Sequence, residues 1–303
     1  MGYKMTENEF MLADRIAKIK SINELYDLEN NAYISYSGGK DSTVLSYLID
    51  EALPKNKIPR VFINTGIEYK LLVAFVERER EKDNRIQIIA PQKNIREVLE
   101  QYGYPFKSKE HSCKLFEYQK GNRPESIKKY FRLQESDYRT CPNILMYQTT
   151  PEFKLKVSDL CCHKLKKDVA KKYQLSNNKE IVITGMTREE GGQRTTLNCI
   201  VSDKEGKIKK FHPLAIITED FINWYIAERR IELCELYYPP YNFKRTGCKG
   251  CPFNLDLQDQ LDTMAVLLPA EKKQCEIIWK PVYEEYRRIG YRLRKENQPS
   301  LFE

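Results

Sequence analysis

A short run of small, hydroxyl and charged residues near the start of the chain has the composition of an anion-binding loop. Residues 37–42 read Ser-Gly-Gly-Lys-Asp-Ser and follow the apolar run at 31–36. Gly38 and Gly39 allow backbone angles that are closed to other residues, so consecutive N–H groups can point at one phosphate. A helix that begins after the loop would aim its positive end at the same point. The charge and the hydroxyl donors come from Lys40, Ser37 and Ser42. The loop therefore predicts a phosphate site, with an ordinary glycine turn as the alternative; the spacing of a Walker loop is absent.

A second candidate anion site follows a predicted strand in the middle of the chain. The stretch 184–194 contains Arg188 and Arg194, and arginine can bind phosphate or sulfate through two parallel hydrogen bonds. Glycines in the same stretch leave room for backbone N–H groups to approach an anion. These glycines are Gly185, Gly191 and Gly192. The alternative interpretation is a charged surface loop.

Four of the nine cysteines form two closely spaced pairs, Cys161–Cys162 and Cys248-x-x-Cys251. Four thiolates can hold a zinc ion or an iron–sulfur cluster. Structural zinc sites usually take cysteines that are two to four residues apart, so the adjacent pair favours a cluster, with zinc second and unligated thiols third. Beyond these four, Cys113 and Cys141 are expected to be free buried cysteines, with two further ligands or a redox pair as the alternative. Core residues are expected at Cys199, Cys234 and Cys275. His111 beside Cys113 is a candidate for tuning its acidity. His163 is expected beside the ligating cysteines or on the surface, and His212 is expected to be structural.

The elements that must position these residues alternate between strand and helix. Strands are predicted over 31–36, 60–64, 85–90, 180–185, 195–203 and 206–211, and helices over 7–28, 43–53, 69–82, 94–102, 157–173, 218–230 and 270–296. This alternation indicates an α/β fold with an open parallel sheet flanked by helices. The loops at the carboxyl ends of parallel strands meet at one edge, where ligands bind. Asn64, Thr65, Gly66 and Glu68 follow the second strand and fall at that edge.

The domain organisation follows from where the alternation stops. We expect an N-terminal helix over 1–30, a nucleotide-binding domain over 31–210 with a helical insertion at about 103–155, and a C-terminal subdomain over 211–303. The insertion is basic and aromatic, so a nucleic acid could bind there by charge and stacking. An ordinary helical subdomain with buried aromatic residues is the alternative.

Composition limits the function classes. The 303 residues are 41% hydrophobic and 31% charged, with a net charge of +8, which suits a sizeable core and anionic partners. No apolar run is long enough for a membrane span, and residues 1–10 lack the apolar core of a signal peptide. A cytoplasmic protein is therefore expected, in which disulfides would be rare.

The motifs together resemble the phosphoadenylyl-sulfate (PAPS) reductase family, within the PP-loop ATP-pyrophosphatase superfamily. The loop at 37–42 resembles the PP-loop, and 64–66 resembles the family's Asp-Thr-Gly element, with asparagine in place of aspartate. The stretch 184–194 resembles an anion-binding segment of the family, with Gly191 where serine is frequent. The cysteine pairs resemble those of the iron–sulfur adenylyl-sulfate reductases, and the resemblance spans about residues 30–254.

This resemblance implies a Rossmann-like fold of the adenine nucleotide alpha-hydrolase type, and it assigns roles to individual residues. Nucleotide binding would fall to Ser37, Gly38, Gly39, Lys40, Asp41, Ser42, Asn64, Thr65, Gly66 and Gly185. The catalytic set would be Lys40, Asp41, Arg188 and Arg194. A 4Fe-4S cluster would be held by Cys161, Cys162, Cys248 and Cys251.

One element of the reductases is absent from the sequence. In the family a nucleophilic cysteine lies in the C-terminal tail, whereas here the last cysteine is Cys275. Three interpretations follow: an ATP-using enzyme that releases pyrophosphate and transfers sulfur to an acceptor, a PAPS or adenylyl-sulfate reductase with another thiol or a partner's thiol, and a non-catalytic nucleotide sensor. An ATP substrate would bring Mg²⁺. The expected partners are an adenine nucleotide and either a nucleic-acid acceptor or a thiol-reductant protein; an oligomer is left open.

Overall fold

Six short strands form one sheet. The computed structural model describes residues 5–135, 137, 140–189 and 194–295. The strands are β1 (Ala32–Ser35), β2 (Arg60–Ile63), β3 (Ile86–Ile89), β4 (Ile181–Ile183), β5 (Ile200–Ser202) and β6 (Ile208–Phe211). Their order is β3-β2-β1-β4-β6-β5, and all neighbours are parallel except β5 and β6. The predicted α/β class and its open, mostly parallel sheet are confirmed.

The helices agree with the predicted positions to within a few residues for most of the chain. The α-helices are α1 (Glu7–Tyr26), α2 (Leu28–Asn31), α3 (Lys40–Ala52), α4 (Lys70–Lys82), α5 (Ile95–Tyr102), α6 (Lys109–Gln119), α7 (Glu125–Tyr130), α8 (Leu160–Cys162), α9 (Asp168–Ser176), α10 (Glu219–Arg229), α11 (Leu257–Leu267), α12 (Pro269–Ile278) and α13 (Lys280–Ile289). A π-helical turn, His163–Lys167, joins α8 to α9. Among the described residues, no helix has both the length and the apolar character needed to cross a membrane.

The chain forms two compact units, each assembled from three separate segments. The sheet unit comprises the described residues of 1–64, 70–90 and 169–246. The cysteine unit comprises those of 65–69, 91–168 and 247–303. The domain boundaries drawn above in chain order stay a prediction.

Apolar strands and amphipathic helices build the core of the sheet unit. Ile34 on β1 and Ile183 on β4 are fully buried, as are Val44, Leu45 and Leu48 on α3. They belong to one hydrophobic cluster that also includes residues of α1 and α10. Burial on this scale stabilises each large apolar side chain by about 1.5–3 kcal/mol, so the sheet and α3 form a firm base for the loop between them.

The predicted C-terminal helix over 270–296 is wrong as a single element. The structure has two helices there, α12 and α13, which meet at Trp279. Pro281 explains the break, because proline lacks an N–H and its ring clashes with the carbonyl of the preceding turn. It is accommodated in the first turn of α13, where an unpaired N–H would otherwise point outward.

The aromatic residues of the basic segment contribute to the fold of the cysteine unit. Phe106, Tyr130 and Phe131 are almost completely buried. Lys120 and Arg123 lie over the rings of Phe116 and Tyr118, at 3.9 and 3.5 Å from the ring centroids. Burial removes three of the rings from those that could stack on bases, as the alternative interpretation of this segment expected.

Candidate functional site

The anion loop connects β1 to the first turn of α3. The helix begins at Lys40, three residues before the predicted start at Thr43, and Gly39 is its N-cap. Lys40 and Asp41 therefore stand on the helix itself, where the positive end of the helix dipole lies. This start places both charged residues of the loop at the positive end of the helix, and anion binding there stays a prediction.

The two serines of the loop bond to each other. The N–H of Ser37 donates to Oγ of Ser42 at 3.1 Å, and the two Oγ atoms lie 3.0 Å apart. Oγ of Ser42 also donates to the carbonyl oxygen of Gly39 at 2.9 Å. The serines thus close the loop across its base, a role in addition to the predicted donation to a ligand.

Position 38 requires glycine for two reasons, which are its backbone angle and the small space available for a side chain. Its φ is +69°, and a Cβ atom there would lie 2.6 Å from Cγ2 of Val76 on α4. No other residue combines this backbone angle with so small a volume. The glycine therefore lets the loop turn directly against α4.

The structure brings the second glycine-containing stretch against the same loop. A Cβ atom on Gly185, just after β4, would lie 2.7 Å from the carbonyl oxygen of Asp41 and 3.2 Å from the nitrogen of Ser42. The backbone that follows β4 consequently packs on the first turn of α3. Thr184 Oγ1 is hydrogen bonded to Nδ1 of the buried His212 at 2.7 Å, which gives that histidine the structural role expected for it.

Charged side chains of both signs surround the first turn of α3. Nζ of Lys40 forms an ion pair with Glu219, which opens α10. Burial raises the pKa of Asp41, while Lys40, Arg245 and Arg194 oppose the shift. Burial, and then Arg245, lower the pKa of Arg194. Asp41, Arg194 and Arg245 therefore share one local field, with more positive than negative charge.

The two predicted arginines differ in their surroundings. Arg194 interacts with Asp41, as described above. The exposed Arg188 donates from Nε to the carbonyl oxygen of Leu197 at 2.8 Å, and its N–H donates to Ala215. The glycines predicted at 191 and 192 lie outside the described residues. Anion binding by either arginine stays a prediction.

Several residues at this site were not predicted from the sequence. The N–H of Lys40 donates to the hydroxyl of Tyr237 at 3.0 Å, and that hydroxyl lies 3.0 Å from Oγ1 of Thr246. Glu219 lies in the helix predicted over 218–230, and the sequence indicates no role for it at the anion loop. A signal for Thr246 was its place in the string Arg245-Thr246-Gly247-Cys248, but no local pattern indicated Tyr237.

The segment after β2 has a different local structure from the loop. Asn64 ends the strand in the sheet unit, and its N–H donates to Ile89 at 2.8 Å. In the cysteine unit, Thr65 donates from its N–H to a carboxylate oxygen of the buried Glu68 at 2.8 Å. Gly66 has a φ of +79° and faces open space. The nucleotide contacts predicted for these residues stay a prediction.

The four paired cysteines belong to the cysteine unit, and their thiols act on one another. A hydrogen bond between Cys161 and Cys162 raises the pKa of the first and lowers the pKa of the second to about 6. Cys248 and Cys251 both add to the shift at Cys161. Burial raises the pKa of Cys248 and of Cys251.

A chain of charges leads from Glu68 to these thiols. Nζ of Lys166 lies 3.4 Å from Oε1 of Glu68. Cys248 is the largest cause of the raised pKa of Lys166, followed in the same direction by Glu68. Lys166 and Lys109 in turn lower the pKa of Cys162. Positive charge beside the thiols is what a centre ligated by several thiolates needs for charge balance.

The donor set fits an iron–sulfur cluster in ligand type and number, because four interacting thiols are the usual complement of such a cluster. Among residues 5–135, 137, 140–189 and 194–295, no group of three or more His, Cys, Asp or Glu side chains has the arrangement of a metal site. Cluster binding and zinc binding both stay predictions.

The thiols of the other five cysteines all have raised pKa values. Cys113 is exposed, but burial of its thiol, Asp159 and Glu117 raise its pKa. His111 does not act on it; the imidazole is buried between Tyr130 and Gln148, with nitrogen–oxygen distances of 2.9 and 2.7 Å. Burial also raises the pKa of the remaining four thiols, which are Cys141, Cys199, Cys234 and Cys275.

Known proteins were compared with the chain. An uncharacterized protein of Methanocaldococcus jannaschii is 32% identical over 136 residues, which cover 41% of this chain and 31% of that one, so the match spans about a third of that relative. Among solved structures, a PAPS reductase from Candida auris has a TM-score of 0.42 at 14% identity, covering 82% of this chain and 98% of that one. An FMN adenylyltransferase from Candida glabrata has a TM-score of 0.46 at 17% identity, covering 82% and 65%. An NH3-dependent NAD synthetase from Campylobacter jejuni has a TM-score of 0.43 at 11% identity, covering 99% and 100%.

The sequence profile of the phosphoadenosine phosphosulfate reductase domain matches residues 31–254. This match takes in the anion loop, the stretch after β4 and both cysteine pairs. Because it extends over well more than half of the 303 residues, the chain belongs to the phosphoadenosine phosphosulfate reductase family.

Proposed function

We propose that the protein is an ATP-using PP-loop enzyme that adenylylates an acceptor, releases pyrophosphate and supports sulfur transfer to that acceptor. The observation that favours ATP over a sulfonucleotide as the substrate is the raised pKa of the cysteine thiols outside the two pairs. All nine cysteines are described, and burial raises the pKa of each one outside the two pairs. A reductase needs a reactive thiolate to attack the sulfonucleotide, and these five thiols are poorly suited to that step.

The chemical roles follow from the charges around α3. An acceptor atom would attack the α-phosphorus of ATP, and the bond from that phosphorus to the leaving pyrophosphate oxygen would break. Negative charge then grows on the pyrophosphate. Lys40 at the helix start and Arg194 near Asp41 are the cations that would stabilise it, with Arg188 as a further candidate. Mg²⁺ would accompany the triphosphate, as it does in most enzymes that use one.

Asp41 has a supporting role in this scheme. It interacts electrostatically with Lys40, Arg194 and Arg245, so its carboxylate would hold the cations near the loop. Its main-chain carbonyl also touches the backbone after β4. We assign Asp41 to organising the phosphate site.

A 4Fe-4S cluster is the cofactor that we propose for the second part of the reaction. Cys161, Cys162, Cys248 and Cys251 would hold it, and Lys166 would balance part of its charge. When bound, such a cluster would supply a place to bind and deliver sulfur. Zinc held by the same thiols is the second choice of metal.

The acceptor can be a nucleic acid or a protein, and charge gives some support to the first. The basic segment presents Lys109, Lys128 and Arg132 on its exposed surface. Other lysines there are paired with glutamates one turn away, including Lys114 with Glu110 at 2.7 Å. Buried aromatic rings make stacking at this segment less suitable, so any nucleic acid would bind mainly through its phosphates.

The test is calorimetric binding on protein purified without oxygen. A non-hydrolysable ATP analogue, PAPS and adenylyl sulfate are titrated separately into the wild-type chain and into Lys40→Met. Tight binding of the ATP analogue alone, lost in K40M, is the expected result. Binding of a sulfonucleotide alone would overturn the proposal in favour of a reductase that uses a partner's thiol. Binding of ATP without pyrophosphate release, with nucleic-acid and protein acceptors added, would instead indicate a nucleotide sensor.

A further inference from the structure

Two hydroxyl groups from one segment of the sheet unit lie against the anion loop. Tyr237 ends the 3-10 turn Glu235–Tyr237, and Thr246 follows nine residues later in the sequence. The Tyr237 hydroxyl accepts the N–H of Lys40 at 3.0 Å. The same hydroxyl lies 3.0 Å from Oγ1 of Thr246. The loop is therefore bound from outside by a pair of hydroxyls that none of its own residues provides.

The direction of these hydrogen bonds determines which proton remains for a ligand. A backbone N–H can only donate, so the oxygen of Tyr237 is the acceptor in its contact with Lys40. In the contact between the two hydroxyls, either oxygen can be the donor. When Tyr237 donates, Thr246 is the acceptor and its own hydroxyl proton can be directed at an anion in the loop.

Gly39 allows both oxygens to approach. A Cβ atom on Gly39 would lie 3.1 Å from Oγ1 of Thr246 and 3.2 Å from the Tyr237 hydroxyl. A larger residue would require the two oxygens to move by a few tenths of an ångström. Glycine at this position therefore permits the contact between the loop and the two hydroxyls.

The surroundings of the pair are partly closed and positive. Thr246 is 9% exposed and Tyr237 is half-buried, so a hydrogen bond from either competes less with water than one at the surface would. The residue before Thr246 is Arg245, which acts on Asp41 together with Lys40 and Arg194. One short segment therefore brings both a cation and a hydroxyl donor to the first turn of α3.

We propose that Tyr237 and Thr246 act together at the phosphate site: Tyr237 positions the loop, and Thr246 donates to a phosphate oxygen of the bound nucleotide. This inference rests on the proposed function, because it takes the ligand to be the phosphate chain of an adenine nucleotide. Lys40 would attract the phosphate by its charge, whereas the hydroxyl pair would orient the phosphate through directional hydrogen bonds. Loss of the pair should weaken binding of phosphate-bearing ligands and leave binding of the nucleoside unchanged.

The experiment measures dissociation constants by calorimetry for a non-hydrolysable ATP analogue, pyrophosphate and adenosine. The variants are Tyr237→Phe, Thr246→Val and Thr246→Ser, each compared with the wild type. One hydrogen bond to a charged group corresponds to a loss of about tenfold in affinity, so Y237F and T246V should bind the ATP analogue and pyrophosphate about tenfold more weakly. T246S keeps the hydroxyl and should bind as the wild type does.

Tyr238→Phe is the matched control. It removes one hydroxyl from the neighbouring residue, and that hydroxyl accepts from the N–H of Leu233 at 3.3 Å instead of from the loop. Y238F should therefore bind all three ligands with wild-type affinity. Thermal unfolding of each variant shows whether the fold is retained.

The outcomes separate this inference from the proposed function. If the wild type binds the ATP analogue and the variants bind it equally well, the hydroxyl pair has no such role while the proposed function stands. If adenosine affinity falls as much as ATP affinity, the pair is only structural and the inference is overturned. If the wild type binds no adenine nucleotide, both fail together.

Discussion

The carbonyl oxygen of Asp41 lies 2.7 Å from the position that a Cβ atom on Gly185 would occupy. Real Cβ atoms do not approach a backbone oxygen so closely, so position 185 must be glycine for α3 to start where it does. We predict that Gly185→Ala destabilises the fold by about 1–3 kcal/mol, the usual cost of forcing a methyl group into a packed site. It should also weaken nucleotide binding, because the first turn of α3 has to move. Urea unfolding and calorimetry measure the two effects.

Gly247→Ala is the control for this substitution. A Cβ atom on Gly247 meets nothing within 4 Å, and its backbone does not have a positive φ. G247A should therefore change stability by less than about 0.5 kcal/mol. A G185A chain as stable as G247A would contradict the close packing of β4 on the anion loop.

The ion pair between Lys40 and Glu219 leads to a prediction of tighter ligand binding, in contrast to the weaker binding expected for G185A. A phosphate that binds Lys40 must compete with the Glu219 carboxylate, so Glu219→Gln should tighten binding of pyrophosphate and ATP. The side chain of Glu219 is 59% exposed, which limits the attraction to that of a surface pair. We expect about a two- to fivefold decrease in the dissociation constant, measured by calorimetry at fixed salt.

Asp220→Asn is the matched control, since it removes the same charge from the same first turn of α10 without touching the ion pair. D220N should give at most a small gain in affinity. Weaker binding in E219Q would instead show that Glu219 assists the ligand, and would exclude simple competition for Lys40.

The sequence predicted the fold and the position of the loop between β1 and α3 well, because both depend on local patterns; anion binding by the loop stays a prediction. Alternating apolar strands and amphipathic helices indicate a parallel sheet, and the Ser-Gly-Gly-Lys string needs only its neighbours to be recognised. The residues that contact the loop from elsewhere in the chain could not be predicted in this way. Tyr237 and Glu219 reach Lys40 from almost two hundred residues away along the chain, and no periodic pattern records such a contact. The start of α3 was placed too late for a related reason: a helix can include a lysine and an aspartate in its first turn without any apolar signal.

Chain order also hides the way in which the two units are assembled. Residues 65–69, between β2 and α4, belong to the cysteine unit, while the segments on either side belong to the sheet unit. A boundary drawn along the sequence cannot show five residues that group with segments beyond position 91. The buried Glu68 in this short segment bonds to Thr65 and interacts with Lys166, which the position of a polar residue after a strand could not reveal.

The four paired cysteines lead to a prediction about metal content. Cys248→Ser or Cys251→Ser, reconstituted with ferrous iron and sulfide without oxygen, should retain less than about half of the wild-type iron, because metal ligands act as a set. Visible absorption and iron analysis provide the measurement. Cys199→Ser is the control, since Cys199 is half-buried in the sheet unit and outside both pairs. Wild-type protein that takes up zinc but no iron would favour zinc, and full iron retention in C248S would remove Cys248 from the ligand set.

His111 provides a prediction about pH. Burial lowers its pKa from 6.5 to about 4, and Lys107 and Arg292 act in the same direction against the hydrogen bond to Gln148 and the charge of Glu110. Between these two values the unfolded chain binds a proton that the folded chain does not. Stability from this residue is therefore fully present above the unfolded pKa and is lost as the pH falls toward the folded pKa. Lowering the pH from about 7 to about 5 should cost up to about 2 kcal/mol through His111.

The measurement is urea unfolding of the wild type and of His111→Gln across that range. H111Q should be less stable near neutral pH, because it disturbs a buried pair of hydrogen bonds, but its stability should depend less on pH. His212, whose pKa burial also lowers to about 4, contributes a slope of the same sign, so His212→Gln should flatten the curve further when combined with H111Q. His163 lies on the surface, and H163Q is the control for removal of an imidazole. A wild-type slope retained in H111Q would contradict the prediction, because the pH dependence would then come from other groups.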